Sequence, residues 1–263
     1  MVLNYDDLPF PARHRAAVGN QSLASCDFNA MKEDILYFTQ DRESPCSRAV
    51  RKRDGVKMLG ATDPFADFVA GVKAAIVDVE GEERQALLKA LLKEKIPFAL
   101  CGLAGETPDS LKRLCAAAKR RHIQICWLGS WRFHWAMAKM KELVGSGALG
   151  TLQTLVVRKP DEEGVFERLR DDDLLTWLDS NNDASFTYEA SDDDFFKLIA
   201  TGTRGTATAV VEADGTEEFA VALEGGRPRT MRQQSSAWEA EVGYLIYAIH
   251  SGRPWSLLGR IPN

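Results

Sequence analysis

The chain has 263 residues, 45% of them hydrophobic and 27% charged, which is enough apolar material to bury a core in one or two domains. With 38 acidic against 33 basic residues, the net charge of −5 argues against a nucleic-acid binder, a class that carries a basic excess. Because no apolar run approaches the ~20 residues of a membrane span and no secretion signal opens the chain, we expect a cytoplasmic protein without a membrane or nucleic-acid partner.

The first half of the chain alternates short apolar segments with amphipathic ones. Compact apolar runs bounded by polar residues are typical of buried strands, and the helix predicted from Thr107 begins with a suitable N-cap residue followed by proline. This alternation predicts an α/β fold, a Rossmann-like parallel sheet in a first domain over residues 1–125. The predicted strands are Ile35–Thr39, Ala74–Val79, Phe98–Cys101 and Ile123–Leu128, and the predicted helices lie near 41–53, near 82–95 and from Thr107.

The second half has a different pattern, because strands come first and a helix comes last. A helix over Trp135–Ser146 leads into this part, and the Asp214-Gly215 turn joins two alternating strands as a hairpin. We predict an α+β domain with a mostly antiparallel sheet over residues 126–263. Its predicted strands are Thr151–Arg158, Ala184–Ala190, Thr206–Glu212 and Glu218–Leu223, and its closing helix is Ala237–His250.

Neither the cysteines nor the acidic runs predict a metal site. Five cysteines without a Cys-x-x-Cys pair lack the ligand spacing of zinc, so Cys101, Cys115 and Cys126 are interpreted as small core residues and disulfides are not expected. The triplets Asp171–Asp173 and Asp192–Asp194 offer oxygen ligands but lack the spacing of a calcium loop. We interpret both triplets as a solvated face or a helix start.

One stretch of the sequence resembles a known family. In WRFHWAMAKMKELVGSGALGTLQTLVV (Trp131–Val157), the segments Arg132–His134 and Ser146–Gly150 are similar, in the same order, to the R-F-H-P turn and the S-G-x-L-G helix end of the Gfo/Idh/MocA oxidoreductases. The end of the chain, Glu241–Pro254, is also similar to the closing helix of that family. The resemblance implies a Rossmann-like domain for a nicotinamide dinucleotide, followed by an α+β domain.

The glycine-rich turn with which the family binds the dinucleotide is missing from the beginning of the sequence. Relatives open with a strand and a glycine-rich turn whose amides approach the pyrophosphate. The equivalent stretch, Val2–Pro11, has no glycine, places Asp6 and Asp7 at the phosphate position and loses amide donors to two prolines. The resemblance leaves one remnant: Asp41 stands where relatives have an acid for the adenosine ribose, although a helix N-terminal acid explains it equally well.

Two further elements of the family's mechanism are absent. Relatives carry an E-K-P motif whose lysine lies between nicotinamide and substrate, whereas this chain has LCGLAG at Leu100–Gly105. Relatives also carry an Asp-x-x-x-His pair in a helix of the second domain, whereas the histidines here are His14, His122, His134 and His250. The joint loss of all three elements indicates a loss of selection for catalysis.

Three functional hypotheses follow. The first is a protein without a cofactor, a non-catalytic binding, regulatory or scaffold member of the family. The second is an NAD(P)-dependent oxidoreductase for a sugar-like or polyol substrate, with Arg132 and His134 in place of the lysine, although packing at the domain hinge is the simpler role for His134. The third is a lyase or hydrolase in the emptied cleft, with Cys101 as a candidate nucleophile that has no histidine near it in the chain.

The resemblance also implies association through the second domain. In relatives, the open face of that sheet packs against a copy of itself. Leu155 and Val157, two residues apart and so on one side of their strand, are candidates for this face, together with Val211 and Val221. We expect a homodimer or a heteromer built on this surface, and we consider a small sugar-like ligand for the cleft.

Overall fold

The computed structural model describes residues 34–102, 107–160, 165–179, 183–255 and 258. Its first sheet is parallel and consists of β1 (Ile35–Thr39), β2 (Val56–Gly60), β3 (Ala74–Asp78), β4 (Phe98–Cys101) and β5 (Ile125–Leu128). The order β2-β1-β3-β4-β5 places β2 on one side of β1 and β3 on the other. The helices of this part are α1 (Pro45–Arg51), α2 (Gly81–Glu94) and α3 (Pro108–Arg120), with a short 3-10 helix at Phe65–Asp67.

A second, mostly antiparallel sheet is formed by β6 (Leu152–Lys159), β7 (Ser185–Ala190), β8 (Phe195–Gly202), β9 (Gly205–Glu212), β10 (Thr216–Leu223) and β11 (Arg229–Gln234). A 3-10 turn at Trp131–Phe133 and the helix α4 (Trp135–Gly145) connect the two sheets. The order is β11-β10-β9-β8-β6-β7, and only β6 and β7 are parallel neighbours, with the crossover helix α5 (Val165–Leu178) between them. The last helix is α6 (Ala237–Ser251). No helix in the described residues has both the length and the apolar character of a membrane span.

This architecture confirms the predicted fold class, and the predicted strands and helices are found within a few residues of their expected bounds. The N-cap at Thr107 is confirmed, since its side chain and that of Ser110 form a reciprocal capping box. Four strands and α-helices were not predicted, β2, α5, β8 and β11, and neither was the 3-10 helix at Phe65–Asp67. The acidic triplets lie within α5 and directly before β8, where their charge obscures the buried side, and β2 and β11 are edge strands with few buried side chains.

Helices cover both faces of the parallel sheet, and one of these helices, α6, follows the second sheet in the chain. The side chains of α2 and α3 pack on one face, while Val242, Leu245 and Ile246 of α6 join α1 on the other. By contact, α6 therefore belongs to the first sheet, although it follows the second sheet in sequence. The division at residue 125 stays a sequence prediction.

The helix-covered face of the second sheet corrects one expectation. Leu155, Val157 and Val211 are buried in the core beneath α4 and α5, and Val221 packs against the same core, so none of them lies on the open face. The alternation correctly places these residues on one side of the sheet, but it does not show which side the helices cover. The open face consists of the side chains that alternate with these, such as Val156.

A buried carboxylate joins α6 to the turn that follows β5. Glu241 is only 1% exposed and accepts the N–H of Gly129 at 2.7 Å and that of Ser130 at 3.1 Å. Burial raises the pKa of Glu241 to about 8, and the two backbone hydrogen bonds only partly oppose this shift. The folded protein therefore holds a proton on this carboxyl group at pH values where the unfolded chain does not.

We predict that substitution of Gly150 destabilises the protein more than substitution of Gly147. Both glycines have a positive φ, +76° and +68°, but a Cβ on Gly150 would overlap the Thr203 hydroxyl, whereas a Cβ on Gly147 meets nothing within 4 Å. Gly147→Ala should cost the left-handed strain alone, about 1–2 kcal/mol, and Gly150→Ala about 1–3 kcal/mol more. Urea unfolding of both variants measures the difference, and equal losses would contradict the prediction.

We also predict that Glu241 makes stability pH-dependent. Between the ordinary pKa of 4.5 and about 8, the folded state binds one more proton than the unfolded state, so this contribution is full at low pH and is lost as pH rises. The unfolding free energy of the wild type relative to Glu241→Gln should therefore fall from pH 5 to pH 8, by at most about 1.4 kcal/mol per pH unit.

Glu239→Gln, on the same helix, is the matched control. Its exposed carboxylate pairs with Lys52, and this hydrogen bond holds the pKa of Glu239 below the ordinary value. In urea titrations, the unfolding free energy of the wild type relative to Glu239→Gln should therefore not fall between pH 5 and pH 8. A wild-type advantage over Glu241→Gln that stays constant or grows with pH would refute the assignment.

Candidate functional site

The strand order of the parallel sheet locates a crevice at the carboxyl ends of its strands. The chain reverses direction across the sheet between β1 and β3, and ligands of open α/β sheets bind at such a switch point. Among the described strands, β1 is the first in the chain, so the loop from Thr39 to Pro45 that leads into α1 has the position of a phosphate-binding turn. This loop reads TQDRESP and contains no glycine.

Asp41 lies in this loop, directly after the first described strand and not after a second one. It is exposed, and its carboxylate accepts the N–H of Glu43 at 2.8 Å at the entry to α1. The stretch Val2–Pro11, for which the resemblance implies the glycine-rich turn, lies outside the described residues.

Polar side chains at the switch point bind one another, and two of them, Tyr37 and Ser47, are fully buried. The Tyr37 hydroxyl lies 2.8 Å from the Ser47 hydroxyl and donates to the Asp78 carboxylate at 2.5 Å. Ser44, the N-cap of α1, donates to the same Asp78 oxygen at 2.8 Å, and Ser47 donates to the carbonyl oxygen of Asp41 at 2.6 Å. The crevice thus presents a carboxylate that accepts hydrogen bonds, where a pyrophosphate site needs amide donors.

Two thiols complete this cluster. The Sγ atoms of Cys46 on α1 and Cys101 at the end of β4 are 3.1 Å apart, and both lie with a carboxylate oxygen of Asp78 in a group spanning at most 4.8 Å. Burial raises the pKa of the Cys101 thiol well above its ordinary value, and Cys46 and Asp78 add to the shift. Cys101 is thus part of a cluster that the sequence did not reveal, since its partners come from positions 46 and 78.

A second polar cluster lies between α5 and the turn after β5. Arg132 forms an ion pair with Asp173, and the Trp131 indole N–H donates to Asp171 at 3.0 Å. Asp171 also pairs with Lys159 at 2.6 Å, and the Arg170 guanidinium lies 3.6 Å from the centre of the Trp131 ring.

This cluster corrects the interpretation of one acidic triplet as a solvated face. Asp171 is 1% exposed and Asp173 is largely covered, and both lie in the middle of α5. Their cationic partners, Lys159 and Arg132, come from other elements, so the sequence alone did not indicate the pairing. The exposed triplet Asp192–Asp194 fits the original interpretation.

His134 pairs with a carboxylate that sequence analysis missed. Its Nδ1 lies 3.0 Å from Oε1 of Glu217, and the other Glu217 oxygen accepts the N–H of Ala136 at 2.7 Å, which caps the beginning of α4. Burial lowers the pKa of His134 and outweighs the opposing effect of Glu217. The ring is therefore neutral at pH 7. The one feature of the sequence that could have indicated this pair is Glu217 itself, an acidic residue at an inward position of β10.

A cleft of about 580 Å³ lies beside this pair. Its lining includes Arg48 and Lys52 of α1, Asp214 of the β9–β10 turn and the beginning of α6. His134 and Glu217 also line it. The volume and the mixed charges suit a small polar molecule.

The helix that follows β6 contains no histidine. The resemblance implies an acid–base pair in such a helix, but α5 has the sequence VFERLRDDDLLTWL, and its inward polar residues are engaged in the cluster around Trp131. At the end of β4, Cys101 and Gly102 stand where the resemblance implies a catalytic lysine. Neither position offers a group that exchanges a proton with a substrate hydroxyl at neutral pH.

The sequence matches no protein-family model and no curated protein sequence. Solved structures do match. An inositol dehydrogenase homolog from Azotobacter vinelandii, in complex with NADH and myo-inositol, aligns with a TM-score of 0.63 and 11% identity over 84% of this chain and 89% of that one. An oxidoreductase from Agrobacterium radiobacter, in complex with NAD⁺, L-tartaric acid and magnesium, aligns with a TM-score of 0.62 and 12% identity over 86% of this chain and 90% of that one.

An aldose-aldose oxidoreductase from Caulobacter crescentus, in complex with glycerol, aligns with a TM-score of 0.61 and 14% identity over 85% of this chain and 83% of that one. At such identities the likeness concerns the fold. It extends over both sheets, since more than four-fifths of each chain is covered. The chain has the two-domain fold of the Gfo/Idh/MocA-type oxidoreductases, as the motifs around Arg132 and Gly150 led us to expect.

Proposed function

We propose that this protein is a non-catalytic, cytoplasmic member of the fold, which works as a binding or scaffold protein and does not transfer hydride. The observation that carries the proposal is the switch-point crevice, where Tyr37, Ser44 and Ser47 bind one another and the Asp78 carboxylate. A dinucleotide phosphate there would meet a carboxylate and would have to displace these hydrogen bonds. Each lost or unmade charged hydrogen bond costs roughly 1–3 kcal/mol.

The weak catalytic candidates are all engaged in structural contacts. Arg132 is held by Asp173, His134 by Glu217, and Cys101 lies against Cys46. The Glu217 carboxylate caps α4 at the same time, so a movement of His134 would disturb a helix end. This favours the hinge-packing role of His134 over an acid–base role.

Binding is proposed at two places. The first is the cleft beside His134, whose lining includes Arg48, Asp214 and the ion pair of Lys52 with Glu239, a mixture of charges that suits a small, polar, sugar-like ligand. The second is the open face of the second sheet, which we propose as the contact with a second copy of the chain.

The open face is suited to such a contact because its centre is uncharged and partly apolar. Strand register aligns Ala220, Thr208, Ile199 and Val156 in one cross-strand row, and threonines dominate the next row. The third row carries both signs of charge: Arg232, Glu218, Val210, Lys197, Arg158 and Glu189. A face with both signs of charge is self-complementary under a two-fold axis.

A second candidate function is an enzyme with an atypical site, and the His134–Glu217 pair favours it. A neutral imidazole hydrogen-bonded to a buried carboxylate at the wall of a cleft is an arrangement that general bases use. This candidate would be an NAD(P)-dependent oxidoreductase for a sugar or polyol, or a lyase or hydrolase. Turnover that depends on His134 would establish it in place of the first proposal.

We predict that the protein binds neither NADH nor NADPH with useful affinity. In a fluorescence titration at neutral pH we expect a Kd of roughly 1 mM or weaker, because the missing phosphate contacts amount to at least 4 kcal/mol relative to a micromolar site. Circular dichroism of the same sample verifies folding. Saturation at micromolar dinucleotide, or oxidation of any sugar or polyol in a panel with both cofactors, would overturn the prediction.

We also predict a homodimer that depends on the open face. Ile199→Asp places a charge at the centre of the uncharged row and should raise the dimer Kd by at least about 100-fold in light scattering, because the carboxylate would be buried without a partner. Tyr247→Asp, at an exposed position on α6, is the control and should stay dimeric. A wild-type monomer at tens of micromolar, or an Ile199→Asp variant that dimerises normally, would refute it.

A further inference from the structure

The two thiols in the switch-point crevice are closer than ordinary packing requires. Cys46 Sγ lies 3.1 Å from Cys101 Sγ, inside the roughly 3.5–4.0 Å of a non-bonded contact between heavy atoms. The residues are 55 positions apart and belong to different elements, the first turn of α1 and the end of β4. A disulfide would need the sulfur atoms to approach by about 1 Å more, to about 2.05 Å.

The two cysteines differ in access, as a reactive pair requires. Cys101 is partly exposed at the end of its strand, while Cys46 is buried behind it against the parallel sheet. Cys101 is the less buried residue of the two, so a small molecule that reaches the pair meets Cys101 first, and Cys46 is placed to react with the product. Cys115 on α3 packs in the core on the opposite face of the sheet, which makes it an internal comparison.

We propose that Cys46 and Cys101 form a reversible disulfide by exchange with a low-molecular-weight disulfide. The Cys101 thiol loses its proton, its thiolate attacks one sulfur of the small disulfide, the departing small thiolate takes up a proton, and a mixed disulfide forms on Cys101. The Cys46 thiolate then attacks the Cys101 sulfur and releases the second small thiol. Two electrons pass from the protein to the small molecule, so two protein thiols become one disulfide and one small disulfide becomes two thiols. The site does not depend on the proposed function.

The surroundings determine how fast this exchange proceeds. Burial raises the pKa of the Cys101 thiol, and Cys46, Asp78 and Glu241 raise it further, so the thiolate is scarce at neutral pH. The exchange is accordingly slow at pH 7 and faster at higher pH. Once formed, the bond ties α1 to β4 across the crevice and stabilises the folded state by restricting the unfolded chain.

The test is exchange with oxidised glutathione, followed by intact-mass and peptide mass spectrometry without reductant. At about pH 8.5 the wild type should lose two hydrogens per chain, show a Cys46–Cys101 cross-linked peptide, regain both thiols with dithiothreitol and unfold at a higher urea concentration when oxidised. Cys46→Ser should stop at a glutathione adduct on Cys101, whereas Cys101→Ser should not form the cross-link. Cys115→Ser should behave as the wild type does.

Other outcomes overturn the proposal. If fully oxidising glutathione leaves both thiols free, or if Cys46→Ser carries its adduct elsewhere, the pair is not a disulfide site. The reduced protein is also titrated with zinc ion alone, because the Asp78 carboxylate lies in the same group. Stoichiometric zinc binding that needs both cysteines and blocks the exchange would make the cluster a metal site instead.

Discussion

The buried carboxyl group of Glu241 is the contact on which the arrangement of both sheets depends. It holds the backbone of Gly129 and Ser130 at the exit of β5 and thereby fixes the 3-10 turn that follows. That turn carries Trp131 and Arg132 towards α5, where their partners Asp171 and Asp173 lie. One carboxyl group on the last helix thus orients the residues that connect the parallel sheet with the antiparallel one. Its burial is tolerated because both oxygens have backbone donors.

The same region pairs its polar groups with one another. Among the described residues between the sheets, Arg132 pairs with Asp173, Lys159 with Asp171, and the His134 ring with Glu217. In an active site, some of these groups would be left unpaired until a substrate arrived, at a cost in stability. Here the pairing is internal, so these groups stabilise the interior.

The sequence was informative where local chemistry determines structure and uninformative where distant residues meet. Apolar runs such as Ile35–Thr39 and the N-cap at Thr107 determine their own elements, so the fold class and most strands followed from the pattern. The pairing of Asp171 with Lys159 depends on the crossover between β6 and β7, which no local signal encodes. The outward face of the second sheet was misassigned for a related reason. Alternation along a strand separates the residues into two faces of the sheet, but it does not show which face the helices cover.

The position of α6 has a consequence for synthesis of the chain on the ribosome. Its apolar side chains, among them Val242 and Leu245, cover a face of the parallel sheet that begins more than 200 residues earlier, at Ile35. During translation that face, which includes Tyr37 and Ile76, has α1 over it but lacks the cover that α6 provides until residues 237–251 have emerged. The first sheet therefore completes its core only after α6 has been synthesised, although all its described strands precede residue 130. Until then the nascent chain presents an apolar surface of the kind that chaperones bind.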